Sequence, residues 1–444
     1  MLPTSNLPII TVLLLAGCAG PRMQRLVFEP HPSDMAIDSA CRPADEGVTP
    51  TPETAACEVQ REVGQSWRPQ PALGGDDTVR LVLTGDAGIR RADDRTQVAA
   101  GPLAVSKAAQ AACGGTCDGA VFLGDNLYTN GVQGADDTAW LGNFVDAWSW
   151  AGDLRFVLGN HDWGPVAYGD YEAPERDRAQ RMFRDLVALD AAREVTVGGD
   201  AHFWQAESGP LSLVALDTNF VVRRCNTRMG ARGIRCKGDP GVRERDFTPL
   251  QAAAHSLITS ELPWTIVVGH HPWRSNGHHG DVGHYRDQGL PLWRGRALRR
   301  LFDEEVRGQA PLYLSGHDHN TQVHLDPDGT ASVVVGAGGK TSGPGPQGER
   351  RRSEMAVESY CTLGFAIVEA SAETLAVEVH RITAAYDKAT EDGYAECATE
   401  IERNRPELKV GGPGCTRFQR GVDGPWQQTA CVPTMNSAID DEAG

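Results

Sequence analysis

Positive charge is in short supply. The 444 residues carry 42 Lys and Arg against 59 Asp and Glu, for a formal net charge of −17. A phosphate backbone is held by excess basic side chains, so nucleic acid is excluded as the main partner. The chain also lacks a Gly-rich phosphate loop, a dinucleotide-binding fingerprint, a Ser nucleophile elbow and any C-x-x-C pair of zinc-finger type. It shows no internal repeat at solenoid period. The long apolar run at residues 7–18, LPIITVLLLAGC, is too short for a comfortable membrane span. What remains is a globular chain long enough for one large core with appendages, or for two domains.

That apolar run has the length of a signal-peptide core, and its final LAGC resembles the bacterial lipobox, in which Cys18 is lipidated and becomes residue one. The first ten positions hold no Lys or Arg, a departure from the usual pattern. Residues 1–18 are therefore expected as a lipoprotein-type signal peptide. The protein is then exported to a bacterial periplasm or outer membrane with a lipid anchor on Cys18, or else secreted. Cysteine usage agrees: of eleven, ten remain without Cys18, an even number suited to an oxidising compartment. Cys113 with Cys117, Cys225 with Cys236, and Cys41 with Cys57 are plausible pairs. Cys361, Cys397, Cys415 and Cys431 are left with open connectivity.

Residues 19–78 are rich in Pro, Ala, Thr and acidic residues without a sustained period, as a flexible tether would be. From VRLVLTGDAG (79–88) onward, short β-branched runs end in Gly-containing turns. They recur at GAVFLGDNLY, LRFVLGNHD, LSLVALDTN, WTIVVGHHP, LYLSGHDHN and ASVVVGAGG. Such runs are buried strands. Helical periodicity lies between them at 174–190 and 294–306, and 365–382 alternates like a hairpin. The order implies an α/β core with a mixed sheet over 79–385, followed by a cysteine-stapled tail at 386–444.

Five of these strands end in clusters of Asp, Asn or His, and the carboxyl ends of strands are where α/β folds build sites. Eight of the 13 histidines fall at 161, 270–271, 278–284 and 317–319. The motifs GDAG, GDNLY, GNHD, VVGHHP and GHDH, in that order, resemble the purple acid phosphatases within the calcineurin-like metallophosphoesterase superfamily. GDNLYTNGV, VALDT, GHDHN and VGAGG are similar to the small tartrate-resistant type. The resemblance covers roughly residues 79–383. It implies a four-layer α/β fold in which two packed mixed β-sheets are flanked by α-helices.

It also implies two metal ions. The first would be held by Asp86, Asp125, Tyr128 and His319, and the second by Asp125, Asn160, His270 and His317, with Asp125 bridging. Two ions about 3.5–4 Å apart can clamp the attacking and leaving oxygens of a displacement at phosphorus. Oxygen and imidazole donors suit Fe, Zn and Mn. Most of the superfamily opens with Asp-x-His, whereas this chain has Asp86-Ala87-Gly88, and Tyr128 compensates. A phenolate favours a trivalent ion, so Fe(III) is expected at the Tyr128 site beside a divalent Fe, Zn or Mn. That pair leaves the site one formal positive charge, where two divalent ions would leave none.

The expected activity is hydrolysis of phosphate monoesters, with a metal-bound hydroxide attacking phosphorus. His161 would protonate the leaving alkoxide, oriented by Asp162. His279 is the best match for a second outer histidine, with His278 and His284 as rivals. The partner is a small phosphorylated substrate; the oligomeric state is open. A phosphodiesterase or nucleotide pyrophosphatase on the same metals is the nearest alternative, and a surface binding protein on this scaffold the more distant one. Two further features have paired readings. The basic stretch 219–238 is either a lid that steers phosphorylated substrates or a solvated loop stapled by Cys225 and Cys236. Trp163 either stacks on substrate or packs.

Overall fold

The computed structural model describes residues 67–69, 77–89, 100–128, 131, 141–163, 196–198, 203–224, 254–255, 258–259, 261–282, 296–343, 354–382 and 414–431. In chain order the strands are β1 Trp67–Pro69, β2 Thr78–Thr84, β3 Gly119–Leu123, β4 Asp153–Val157, β5 Thr196–Gly198, β6 Phe203–Ser208, β7 Leu211–Leu216, β8 Trp264–Gly269, β9 Leu312–Ser315, β10 Thr321–Leu325, β11 Ala331–Val335, β12 Val357–Ser359, β13 Leu363–Ser371, β14 Thr374–Ile382, β15 Gly414–Gly421 and β16 Gln427–Thr429. They form two eight-stranded sheets, ordered β1-β6-β7-β8-β9-β11-β10-β12 and β16-β15-β14-β13-β2-β3-β4-β5. Both are mixed. β2, β3, β4 and β5 run parallel while β13 returns antiparallel to β2; β7, β8, β9 and β11 run parallel while β10 is antiparallel to β11.

Strand alternation explains how the sheets pack. Val79, Leu81 and Leu83 of β2 face one way, as do Leu213 and Ala215 of β7, Ile266 and Val268 of β8, and Val333 and Val335 of β11; all join one buried cluster between the sheets. The opposite faces are apolar too, because each needs a second cover. Phe122 and Phe156 of the second sheet stack at 4.8 Å, with Phe144 and Trp148 against their edges. On the first sheet, Tyr313 meets Phe302, centroids 4.6 Å apart, at the end of helix α3 (Arg296–Leu301). Helix α1 (Ala100–Ala112) brings Gly101 close to Leu363 of β13. Helix α2 (Thr218–Arg224) follows β7 directly. The layers therefore run helix, sheet, sheet, helix, as the resemblance implies.

Every strand that the sequence places at a motif is present, and 363–382 is the expected hairpin. Both ends of the core reach further than its sequence boundaries. β1, inside the stretch read as tether, pairs with β6, and β15, inside the stretch read as tail, pairs with β14 along its length. Phe418 of β15 enters the core, and Arg417 donates to Glu378 (2.8 Å) and Glu369 (3.0 Å) across the sheet. The bond between Cys415 and Cys431 closes this segment, and Cys113 is bonded to Cys117. The signal peptide, the pairs Cys41–Cys57 and Cys225–Cys236, helix 174–190 and most of the basic stretch lie outside the described residues. Among the described residues, no helix is long and apolar enough to cross a membrane.

Candidate metal centre

The site lies where parallel strands of both sheets end together. Asp86 follows β2, Asp125 follows β3, Asn160 follows β4, His270 follows β8, and His317 and His319 follow β9. Backbone hydrogen bonds lash these turns to one another: Asp86 N to Gly124 O (2.9 Å), Gly85 N to Val335 O (2.9 Å), Gly316 N to His270 O (3.0 Å) and Tyr128 N to Gly88 O (2.8 Å). Four non-glycine residues among those described have positive φ, and three are Asp86 (59°), Asp125 (52°) and His317 (69°). Holding an L-residue there costs about 1–3 kcal/mol each, a strain that collects at functional sites.

Two groups of donor atoms result. In the first, the Tyr128 hydroxyl donates to Asp86 Oδ1 at 2.8 Å and lies 3.1 Å from His319 Nε2, which is 3.4 Å from Asp86 Oδ1. In the second, His270 Nε2 lies 3.0 Å from Asn160 Oδ1, 3.1 Å from His317 Nδ1 and 3.4 Å from Asp125 Oδ1. Asp125 stands near both groups, since its charge also acts on Tyr128. All seven sequence-predicted ligand residues thus converge. The packing tolerates nothing bulkier behind them. A Cβ on Gly159 would sit 2.2 Å from Asp125 N, and one on Gly124 would sit 2.6 Å from His270 Nδ1.

Charge is tightly coupled here. Burial raises the Asp86 carboxyl, but the His319 hydrogen bond and the charges of His270, His319 and His317 outweigh it and hold the group well below the usual carboxylate range. Burial, then Asp86 and Asp125, push the Tyr128 phenol well above its ordinary value. Burial lowers His270, yet Asp125 and Asp86 overcome it and the imidazole titrates above its usual value.

The outer residues are sorted by the structure. His161 donates its backbone N–H to Asp125 Oδ1 (2.8 Å), and its quarter-exposed ring lies edge-on to Tyr128, centroids 4.5 Å apart. Asp162 does not orient that ring. Its Oδ1 accepts from Asn126 N (2.9 Å) and Leu127 N (3.3 Å), and its Oδ2 from Asn126 Nδ2 (2.9 Å) and Gly159 N (2.8 Å). The buried carboxylate is a brace between the GDNLY and GNHD turns. Burial and the Asp125 charge push it up to about 7 against the pull of those backbone donors. His279 lies at the site: its N–H donates to Asp318 Oδ1 (2.8 Å) and its ring is 4.3 Å from that of His317. His278 is exposed, and His284 lies outside the described residues. His271 is buried with Nδ1 2.8 Å from Thr218 Oγ1. Trp163 is fully buried and donates to Asp217 (3.2 Å), so it packs.

Three residues escape sequence reading. Thr218 Oγ1 accepts both His270 N (3.2 Å) and His271 N (3.0 Å). Asp318, between two predicted ligands, holds the 275–279 loop through Ser275 Oγ and His279 N. Lys340, at the end of VGAGGK, places its ammonium 3.3 Å from the centre of the Tyr128 ring. Burial lowers it, while Asp125 and Asp86 oppose that shift. The VALDT and GHDH motifs point toward the first two; a lone lysine in a Gly-rich turn carries no such signal.

The family model for calcineurin-like phosphoesterases matches residues 80–321, and the chain belongs to that family. It is also similar to several purple acid phosphatases. Purple acid phosphatase 17 of Arabidopsis thaliana is 26% identical over 269 residues, 60% of this chain and 70% of the relative. Tartrate-resistant acid phosphatase type 5 of Oryctolagus cuniculus is 26% identical over 286 residues, 60% of this chain and 75% of the relative. Among solved structures, purple acid phosphatase PPD1 from yellow lupin (Lupinus luteus) seeds is 18% identical with a TM-score of 0.44, covering 70% of this chain and 52% of that one. The protein is a calcineurin-like metallophosphoesterase similar to purple acid phosphatases, a hydrolase of the phosphatase class.

The relatives imply a dinuclear metal centre, and the donor set fits one. If His270 Nδ1 donates to Leu123 O, 2.9 Å away, its Nε2 keeps a lone pair. That lone pair faces Asn160 Oδ1, Asp125 Oδ1 and His317 Nδ1, a convergence of acceptors that only a proton or a cation between them relieves. Asp125, His270 and His317 are all buried, with ligand atoms within 4.8 Å of one another.

Proposed function

We propose that the protein releases phosphate from organic monoesters, using Fe(III) held by Asp86, Asp125, Tyr128 and His319 and a divalent Fe, Zn or Mn held by Asp125, Asn160, His270 and His317. The observation that carries this reading is Tyr128. Its hydroxyl oxygen lies within 3.1 Å of both Asp86 Oδ1 and His319 Nε2, although burial and two carboxylates disfavour its ionisation. A phenolate there needs strong positive charge beside it, and a trivalent ion supplies more than a divalent one.

Bound in this site, two cations would supply Lewis acidity toward phosphoryl oxygens and lower the pKa of water. The chain's own residues do the rest. Asp125, fixed by the His161 N–H, sets the spacing of the two donor groups. His161 is open to solvent at its ring and gives a proton from Nε2 to the leaving oxygen as the P–O bond breaks. His279, packed on His317 and held by Asp318, stands beside the second donor group. The proposal includes export, with a lipid on Cys18.

Metal analysis with visible absorption tests the reading. The purified protein should hold about two metals per chain, one of them iron, and show a tyrosinate-to-iron band that Tyr128→Phe abolishes. Stoichiometric zinc or manganese without that band would refute the ferric assignment. Turnover of an aryl phosphate monoester should exceed that of an aryl diester, and the reverse ratio would favour a phosphodiesterase.

A further inference from the structure

Lys340 is the residue near the centre for which the metal chemistry has no use. The chain following β11 is pinned on both sides of it: Gly338 N donates to Gly85 O (2.9 Å), and Ser342 N donates to His319 O (2.7 Å). Gly338 leaves no room for a side chain, since a Cβ there would sit 2.5 Å from Gly85 O. The lysine is thereby carried on backbone fixed to the turns of Asp86 and His319. Its half-buried ammonium rests 3.3 Å from the centre of the Tyr128 ring. Among the described residues that ammonium makes no ion pair and no hydrogen bond. The nearby carboxylates are committed elsewhere, Asp86 to Tyr128 and the His317 N–H, and Asp125 to the His161 N–H.

An ammonium withdrawn from water needs an anion or a set of acceptors to offset its desolvation, and an aromatic face alone supplies little of that. We propose that Lys340 is a substrate-binding residue whose ammonium holds a non-bridging oxygen of a dianionic phosphoryl group bound against the Tyr128 side of the site. The inference rests on the phosphatase reading and narrows its substrate class. A fixed extra positive charge attracts a monoester dianion more than a diester monoanion, because the Coulomb term scales with ligand charge. Lys340 therefore biases the site toward monoesters and toward retention of inorganic phosphate.

The test uses the full-length, metal-loaded protein. Isothermal calorimetry measures the Kd of inorganic phosphate for wild type, Lys340→Met and Lys340→Arg at fixed ionic strength, with metal content checked in each. Lys340→Met should weaken phosphate roughly ten-fold, and Lys340→Arg should restore it to within about three-fold, as expected for loss and return of one phosphate contact. The kcat/KM for an aryl monoester should fall through KM by a similar factor, with the diester changed less than about two-fold. A Lys340→Met protein that holds two metals and binds phosphate within two-fold of wild type overturns the proposal, even if its Tm drops, because the lysine would then only brace Tyr128. Equal losses for monoester and diester overturn it too. A metal-loaded wild type that neither binds phosphate nor hydrolyses either ester sinks the phosphatase reading, and this proposal with it.

Discussion

Replacing Asp162 by asparagine keeps the shape of the side chain and exchanges one acceptor oxygen for an NH2 donor. The carboxylate now receives four hydrogen bonds, two on each oxygen, from Asn126 N, Leu127 N, Asn126 Nδ2 and Gly159 N. Asparagine satisfies one pair and sets its own N–H groups against the other. Each buried donor left without an acceptor costs about 1–3 kcal/mol, so the gross loss is roughly 2–6 kcal/mol. Removing a buried charge that Asp125 repels returns part of this, and about 3 kcal/mol of net destabilisation is expected. At about 2–4 °C per kcal/mol for a domain of this order of size, Tm should fall by roughly 6–12 °C. Scanning calorimetry of the metal-loaded variant measures it, with the exposed Asp423→Asn as the reference for a substitution that touches little. A drop of under about 2 °C would refute the brace and return Asp162 to the neighbourhood of the His161 ring.

Gly159→Ala should act on the metals more than on the fold, because its Cβ would displace Asp125, 2.2 Å away at the backbone nitrogen; metal content is the readout, and two tightly held metals would contradict the packing. The metal-free protein should lose stability as pH rises from about 4 to 8. Asp162, pushed up to about 7, stabilises fully below its unfolded value and loses that contribution as pH climbs through 7. His270, also raised, has the same sign above its unfolded value, whereas Asp86, held low, opposes them only at the acid end of the window, where its unfolded carboxyl is still titrating, and is ionised in both states above it. Metal-loaded protein should show the opposite slope, since cations compete with protons for the same atoms; parallel Tm profiles would count against this. The proposed lipid anchor predicts that Cys18→Ser moves the protein from the membrane to the soluble fraction, and an unchanged distribution would exclude it.

The sequence made most of the site readable because most of the candidate ligands sit beside glycines at the ends of apolar runs, and a run of that kind is a strand wherever it occurs. Tyr128 was legible through the missing histidine after Asp86. Asp162 reads as a partner of His161 because the two are adjacent, whereas the brace depends on where the 124–128 turn folds in space. Lys340 was invisible for the same reason: its importance comes from two backbone hydrogen bonds to residues far away in the chain. The two outer strands were hidden by their composition. β1 is a short stretch beside prolines, and β15 carries two arginines, of which Arg417 becomes sensible only opposite Glu369 and Glu378.

β2 lies between β3 and β13, so one of its edges is completed by residues made late in synthesis. A ribosome delivers β2 and β3 with the turns of Asp86 and Asp125 long before residues 363–371 emerge. Through that interval the nascent chain carries an open strand edge and half a set of donors, a condition that invites mispairing and stray ions. Completion of the cofactor cradle is then a late event in the life of the polypeptide, and a prematurely terminated product ending before β13 would expose the very edge that the finished molecule conceals.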